Sequence, residues 1–157
     1  MLVHDIARLL TDRHWHLSVA ESATGGLLSH WITSVSGSSA YFEGGIITYS
    51  DEVKRRLLGV RQESLTQWGA VSARVAMEMA QGACLATETE VALSITGIAG
   101  PTGATAYKPV GLYYIGLAVP NEAWAWRHFF DGDRAENNEQ CATAALAHLA
   151  GYLRGSS

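Results

Sequence analysis

The sequence has few cysteines, few prolines and no excess of positive charge. Of its 157 residues only two are cysteines and three are prolines, and the formal net charge is −4. Cys84 and Cys141 lie far apart in alanine-rich, helix-like segments. We therefore expect two buried thiols in a reducing cytoplasm, and neither a disulfide nor a metal cluster. The acidic balance argues against nucleic acid as a partner.

Long apolar runs and leader-like segments are also missing. No apolar run reaches the roughly 18 residues that a membrane span requires, so we expect no membrane partner. The N-terminus lacks a basic region followed by an apolar block, which predicts a cytoplasmic protein without a signal peptide. Hydrophobic residues make up 48% of the chain and charged residues 17%, a balance typical of globular proteins. The length predicts one domain, residues 1–157.

Hydrophobic periodicity predicts strands that alternate with helices. The expected helices cover residues 2–13, 24–35, 51–58, 64–69, a segment that starts after Ser72, and 134–154. The expected strands cover residues 17–20, 45–49, 90–96, 110–119 and 123–130, and the last two form an antiparallel pair. This order predicts an α/β fold, a three-layer α/β/α single domain with a mixed, mostly parallel sheet.

A serine lies in the first predicted strand-to-helix turn. The segment 20–26 reads Ala-Glu-Ser-Ala-Thr-Gly-Gly, which places Ser22 in the turn and Thr24, Gly25 and Gly26 at the start of the helix. The first amides of a helix have no partner within it, and the helix dipole makes that end partly positive. Ser22 could therefore act as a nucleophile beside oxyanion donors or help to bind a phosphate. A helix cap is the alternative interpretation.

Three predicted strands end in loops that carry Ser22, Tyr49 and Thr96. Ligands of open α/β sheets bind outside these strand ends, and Lys54 lies about one helical turn past Tyr49. A lysine with a lowered pKa can take the proton of a serine, and a tyrosine could relay it. Three of these residues also have an ordinary interpretation. Tyr49 could be an aromatic residue at a strand end, Lys54 a solvated lysine on a helix, and Thr96 a β-branched strand residue.

The other candidate features are less specific. The loop from Gly97 to Gly103 could present amides to a phosphate or an oxyanion, but a plain turn is an equal alternative. It has neither the Lys-Ser/Thr ending of a P-loop nor the glycine spacing of the dinucleotide fingerprint. The six histidines supply no convincing metal set and no base for a Ser-His-Asp triad. Trp124 and Trp126 alternate onto one strand face, which suits core or subunit contact.

Ordered motifs run through nearly the whole chain: Glu21-Ser22-Ala23-Thr24-Gly25-Gly26, Phe42-Glu43-Gly44-Gly45-Ile46-Ile47-Thr48-Tyr49-Ser50, Gly69-Ala70-Val71-Ser72, Ser94-Ile95-Thr96-Gly97-Ile98-Ala99-Gly100-Pro101, Lys108-Pro109-Val110-Gly111 and Gly132-Asp133-Arg134. Together with Lys54 they resemble the C-terminal domain of the CinA family, which also exists alone as nicotinamide-nucleotide amidohydrolase. We expect this chain to lack the N-terminal domain that longer members carry.

The resemblance implies an enzyme that hydrolyses nicotinamide mononucleotide to nicotinate mononucleotide and ammonia. It assigns Ser22 as nucleophile, Lys54 as the base that acts directly or through Tyr49, and Thr96 as the residue that orients the hydroxyl network. It assigns substrate binding, including oxyanion and phosphate contacts, to Glu21, Thr24, Gly25, Gly26, Gly97, Gly100, Gly103 and Arg134. It implies no metal and no cofactor, a small pyridine nucleotide as partner, and a homodimer or higher homo-oligomer.

Two departures from the family pattern are visible. Ala23 stands where many members have cysteine, which touches no assigned role. Residues 135–139, after Arg134, are acidic and amide-rich where members often carry a second arginine, so the phosphate ligands and the exact substrate stay open. Two other functions also stay open: a non-catalytic nucleotide-binding or interaction module of the same fold, and an amidase for a different small amide.

Overall fold

The computed structural model describes residues 2–155, in which helices and strands alternate over much of the chain. The helices are α1 (Leu2–Arg13), α2 (Leu27–Thr33), α3 (Asp51–Leu58), α4 (Gln62–Trp68), α5 (Ala73–Thr87) and α6 (Arg134–Gly155), with a short 3-10 helix at Ser38–Ala40. The strands are β1 (Leu17–Glu21), β2 (Phe42–Ile47), β3 (Val91–Gly97), β4 (Leu112–Val119) and β5 (Glu122–Phe129).

The five strands form one sheet in the order β2-β1-β3-β4-β5. β1 is parallel to β2 and to β3, whereas β4 is antiparallel to both β3 and β5. Four strands, β2, β1, β3 and β5, therefore run in one direction and β4 runs in the other. The predicted mixed, mostly parallel sheet and the predicted antiparallel pair at its end are confirmed.

Helices cover both faces of the sheet, as the three-layer prediction requires. α1, α2 and α6 pack on one face, where Leu93, Ile95, Ile115 and Leu117 are fully buried in the larger core. Because β3 and β4 are covered on both sides, nearly all their residues are buried, which explains the continuous apolar sequence of β4.

The opposite face carries small side chains that allow α5 to approach closely. A Cβ at Gly116 would lie only 2.4 Å from the carbonyl oxygen of Ala76 in α5. The hydroxyl of Ser94 on β3 donates a hydrogen bond to that same oxygen. Together with α3 and α4, α5 forms the second helical layer and places the segment 69–72 beside the carboxyl end of β3.

Serine hydroxyls cap two of the helices. Ser50 and Ser72 each accept a hydrogen bond from the backbone N–H three residues later, at 3.2 Å, and so begin α3 and α5. The helix predicted over residues 64–69 begins earlier, at Gln62, so Ser64 lies inside α4 and its hydroxyl donates a hydrogen bond to Glu78. The cap of α4 is Arg61, whose side chain makes no capping bond.

The helix predicted from Thr24 begins three residues later, at Leu27. Gly25 and Gly26 have φ angles of 60° and 108°, which lie in the left-handed region and cannot continue a right-handed helix. The segment between β1 and α2 is therefore a separate turn. The backbone amides that directly follow Ser22 therefore belong to this turn and not to α2.

The strand predicted at residues 45–49 lies earlier, at Phe42–Ile47. Its first half contains glutamate and glycine, which are depleted in strands, yet it pairs with β1 from Phe42 opposite Leu17. Tyr49 consequently lies in the loop after β2. The strand predicted from Val110 begins at Leu112, because Gly111 has a φ of 91°.

The two cysteines lie in helices, as the alanine-rich sequence around them predicts. Cys141 is buried in α6 and Cys84 is half-buried in α5, and both are free. Burial raises the pKa of each thiol, so both favour the neutral, unreactive form. Within residues 2–155, no helix has the length and apolar character that crossing a membrane requires.

Candidate active site

A cavity of about 310 Å³ opens where the carboxyl ends of β1 and β3 meet the loop after β2. We call it the Ser22 cavity. Parallel strands direct their carboxyl ends to the same sheet edge, which is why residues far apart in sequence converge there. Seven predicted site residues line it: Ser22, Tyr49, Lys54, Thr96, Gly97, Gly103 and Arg134.

Ser22 and Lys54 are in direct contact. The Nζ of Lys54 donates a hydrogen bond of 3.1 Å to the Oγ of Ser22 and one of 2.7 Å to the carbonyl oxygen of Thr48. The backbone N–H of Ser22 donates to the carbonyl oxygen of Ile95 at 3.0 Å, which holds the turn against β3. These three hydrogen bonds hold the Lys54 amine and the Ser22 hydroxyl against each other.

Lys54 is 1% exposed, although lysine is rarely buried without a partner of opposite charge. Burial lowers the pKa of its ammonium, and the nearby carboxylate of Asp51 partly opposes that shift. A lowered pKa enlarges the fraction of neutral amine, which can accept the proton of a hydroxyl group. The serine and lysine can therefore act together as nucleophile and base.

Glu21 was expected to bind substrate, but its carboxylate is fully buried and belongs to the turn. It accepts hydrogen bonds from the hydroxyl of Thr24 at 2.6 Å, from the backbone N–H groups of Leu28 and Ser29 at 2.9 Å each, and from the Ser29 hydroxyl at 2.7 Å. The first amides of α2 are thus occupied and are not open to a ligand. Glu21 and Thr24 hold the Ser22 turn in place.

Three expected binding glycines lie outside the lining of the Ser22 cavity. Gly25 and Gly26 belong to the turn before α2, where the N–H of Gly25 donates to the carbonyl oxygen of Ser22 at 3.1 Å. Gly100 contributes its carbonyl oxygen to Arg134. These glycines shape the loops around the cavity, whereas Gly97 and Gly103 lie at its surface.

Thr96 and Tyr49 line the cavity without a hydrogen bond to Ser22 or Lys54 within the described residues. The Thr96 hydroxyl donates to the carbonyl oxygen of Ala70 at 2.9 Å and fixes the segment before α5. The Tyr49 side chain is 66% exposed, and its hydroxyl accepts a hydrogen bond of 3.0 Å from Arg134. Because Lys54 reaches Ser22 directly, the geometry requires no relay through Tyr49.

Arg134 joins two of the loops that surround the cavity. One terminal nitrogen of its guanidinium donates to the carbonyl oxygen of Gly100 at 2.8 Å, and the other donates to Tyr49. The loop after β2 and the loop after β3 are thereby connected through the first residue of α6. These two bonds use two of the five guanidinium N–H donors, so three remain for a ligand.

The comparisons with known proteins agree with this architecture. The family model described as the CinA C-terminal domain matches residues 1–153. This chain belongs to the CinA family. The CinA-like protein of Leptospira biflexa (strain Patoc 1 / Ames) is 47% identical over 154 residues, and the match covers 98% of this chain but 36% of that protein. The CinA-like protein of Syntrophobacter fumaroxidans is 48% identical over 144 residues, with 92% and 34% covered. The chain thus spans little more than a third of these curated relatives.

Two solved structures of CinA-related proteins have the same fold. The competence damage-inducible protein A of Klebsiella pneumoniae superposes with a TM-score of 0.95 at 32% identity, covering 99% of this chain and 97% of that one. The competence/damage inducible protein CihA of Agrobacterium tumefaciens gives a TM-score of 0.90 at 36% identity, covering 98% and 95%. The fold of the CinA-family domain is therefore shared with these proteins.

Two residues at or beside this CinA-family site are missing from the sequence-based prediction. Asp51 lines the cavity, although its place after the cap Ser50 indicates only a first-turn acid. Asn137, in the stretch after Arg134, is fully buried and donates to the carbonyl oxygen of Ala99 at 3.1 Å. Its side-chain oxygen accepts from Gly132, so it fixes the loop after β3. No sequence signal singles it out, because the residues around it, 136–140, are all polar.

The histidines of the CinA-family domain lie outside the Ser22 cavity. His128 on β5 and His148 on α6 place their Nε2 atoms 2.8 Å apart, and His148 stacks on Trp126. Burial lowers the pKa of both imidazoles. Among residues 2–155, no group of three or more histidine, cysteine, aspartate or glutamate side chains is arranged to hold a metal ion.

Proposed function

We propose that this chain hydrolyses the carboxamide of nicotinamide mononucleotide to nicotinate mononucleotide and ammonia. The observation that carries the proposal is the 3.1 Å contact between Lys54 Nζ and Ser22 Oγ inside a cavity at the carboxyl ends of parallel strands. A buried amine beside a serine hydroxyl can supply the base and the nucleophile for amide hydrolysis. Membership of the CinA family is consistent with this activity.

The first half of the reaction transfers the acyl group to Ser22. Its Oγ attacks the carboxamide carbon while the proton moves to the neutral amine of Lys54, which forms a tetrahedral oxyanion. Lys54 then returns the proton to the departing nitrogen, the C–N bond breaks and ammonia leaves. The product is an ester between Ser22 and the nicotinate group.

The second half releases nicotinate mononucleotide. A water molecule attacks the ester carbon while Lys54 accepts one of its protons. The bond to Ser22 Oγ breaks, and the proton of Lys54 passes to that oxygen. Serine and lysine return to their starting states, so the net reaction consumes one water and yields one acid and one ammonia.

Two backbone amides are candidates for oxyanion donors. Ala23 and Ala99 both line the Ser22 cavity. Among the described residues, neither backbone N–H has a hydrogen-bond partner. Because Ala23 directly follows the nucleophile, its amide lies near the carbon that Ser22 would attack. Donors of this kind stabilise the charge that develops in the transition state.

The direct test is ammonia release from nicotinamide mononucleotide, with nicotinate mononucleotide measured by chromatography. We expect turnover by the wild-type chain and none by Ser22→Ala, which should fold normally because it loses only one oxygen. Turnover by Ser22→Ala at the wild-type rate would reject the nucleophile. Binding without product at any enzyme concentration would indicate a non-catalytic module, and ammonia from a different small amide alone would indicate another amidase.

A further inference from the structure

A second cavity, of about 420 Å³, lies at the start of α5. We call it the Arg74 cavity. Its lining combines aromatic rings with two cationic side chains and contains no aspartate or glutamate among the described residues. The residues that matter here are Trp68, Val71, Arg74, Lys108 and Tyr114. In a chain of net charge −4, such a lining indicates an anionic ligand with apolar parts.

The Arg74 cavity is a direct neighbour of the Ser22 cavity. Val71 lines both. Thr96, which lines the Ser22 cavity, pairs across the antiparallel strands β3 and β4 with Tyr114, which lines the Arg74 cavity. Side chains directly opposite one another in such a pair lie on the same face with Cβ atoms about 4.5–5.5 Å apart. One extended ligand can therefore contact both cavities.

The cations of the Arg74 cavity retain capacity for a ligand. The exposed guanidinium of Arg74 has no hydrogen bond or ion pair with another described residue. The ammonium of Lys108 donates to the carbonyl oxygen of Trp68 and has two further hydrogens. Arg134 lies outside the lining of this cavity, and two of its five N–H donors already bond to Gly100 and Tyr49.

We propose that the Arg74 cavity binds the phosphoryl group of the ligand whose carboxamide lies at Ser22. Arg74 provides a planar pair of donors that matches phosphate oxygens, and Lys108 adds a second positive charge. The half-exposed ring of Trp68 provides an apolar surface for the sugar or base beside that phosphate. This inference rests on the proposed function, because it names the subsite for the other end of the same substrate.

The phosphoryl group could belong to a mononucleotide or to a dinucleotide, and three compounds distinguish these two ligands. Nicotinamide mononucleotide has a terminal phosphate, the dinucleotide NAD⁺ has a pyrophosphate, and nicotinamide riboside has neither. We would measure kcat and KM for each with wild type and with Arg74→Gln. The matched control is Arg56→Gln, which removes an exposed arginine from α3 outside both cavities.

For Arg74→Gln we expect KM for nicotinamide mononucleotide to rise about tenfold at unchanged kcat, as the loss of one charged contact predicts. The kcat/KM for nicotinamide riboside should not change, and Arg56→Gln should resemble wild type. A rise in KM confined to NAD⁺ would assign the subsite to a dinucleotide. Equal effects on all three compounds, or no effect on any, would overturn the subsite.

A binding measurement separates failure of this inference from failure of the proposed activity. Calorimetry would measure the Kd of nicotinamide mononucleotide for Ser22→Ala and for Ser22→Ala/Arg74→Gln. Because both variants lack the proposed nucleophile, the measurement does not depend on turnover. A tenfold weaker Kd in the double variant supports the subsite even if the wild type releases no ammonia. Equal Kd values, or no binding to either protein, overturn it even if the wild type is an amidase.

Discussion

The Nζ of Lys54 contacts the Oγ of Ser22 although 32 positions separate the two residues in the chain. Ser22 is fixed by the sheet, because its backbone bonds to β3. Lys54 is fixed by α3, which packs on α5 so closely that the backbone of Gly82 touches the carbonyl of Leu58. The contact therefore depends on the packing of one helical layer against the strand ends.

Replacement of Lys54 by methionine should abolish most of the amidase activity. Loss of a general base lowers rates by about 10²–10⁴-fold, and methionine retains the length of the side chain. Ammonia release under single-turnover conditions measures the effect, with Arg56→Met on the same helix as the control and circular dichroism as a check of folding. A rate within twofold of wild type would remove Lys54 from the mechanism.

The pH dependence should follow the deprotonation of Lys54. Its pKa lies below the ordinary value of 10.5 because burial disfavours the ammonium. The protonated form cannot accept a proton, so kcat/KM should fall as pH drops through this lowered pKa and level off above it. A pH–rate profile from about pH 6 to 10 measures this limb. A limb that persists unchanged in the residual activity of Lys54→Met would assign the titration to another group.

Glu21→Gln should destabilise the fold. An amide in place of the buried carboxylate turns an NH₂ group toward donors such as the N–H groups of Leu28 and Ser29. We expect a loss of about 2–3 kcal/mol in the free energy of unfolding, measured by urea denaturation. The exposed Glu52→Gln should change it by less than about 0.5 kcal/mol. Equal stability of the two variants would refute the turn-holding role of Glu21.

Two helical glycines should respond to alanine with opposite signs. A Cβ at Gly82 would lie 1.8 Å from the carbonyl oxygen of Leu58, so Gly82→Ala should destabilise by about 1–3 kcal/mol. A Cβ at Gly151 in α6 meets nothing within 4 Å. Gly151→Ala should therefore stabilise by about 0.5–1 kcal/mol through helix propensity. Thermal unfolding of both variants measures the difference, and a stabilising effect of Gly82→Ala would contradict the close approach of α3 and α5.

Much of the fold is predictable because its signals are local. The continuous apolar run of β4 indicates a strand covered on both faces, and Ser50 and Ser72 indicate helix starts by their side-chain chemistry. The start of α2 was predicted too early because the apolar spacing does not reveal that Gly25 and Gly26 adopt left-handed angles. The start of β2 was missed because pairing with β1 overrides its weak local preference.

The sequence by itself determined that Ser22, Lys54 and Thr96 lie at one edge of the sheet, since strand ends and helix spacing fix where these residues leave the backbone. Only the tertiary structure decided what each side chain touches. Packing brought the Lys54 amine directly to Ser22 and directed the carboxylate of Glu21 to the amides of α2. The physical reason is that spacing follows from local backbone geometry, whereas hydrogen-bond partners depend on contacts between distant segments.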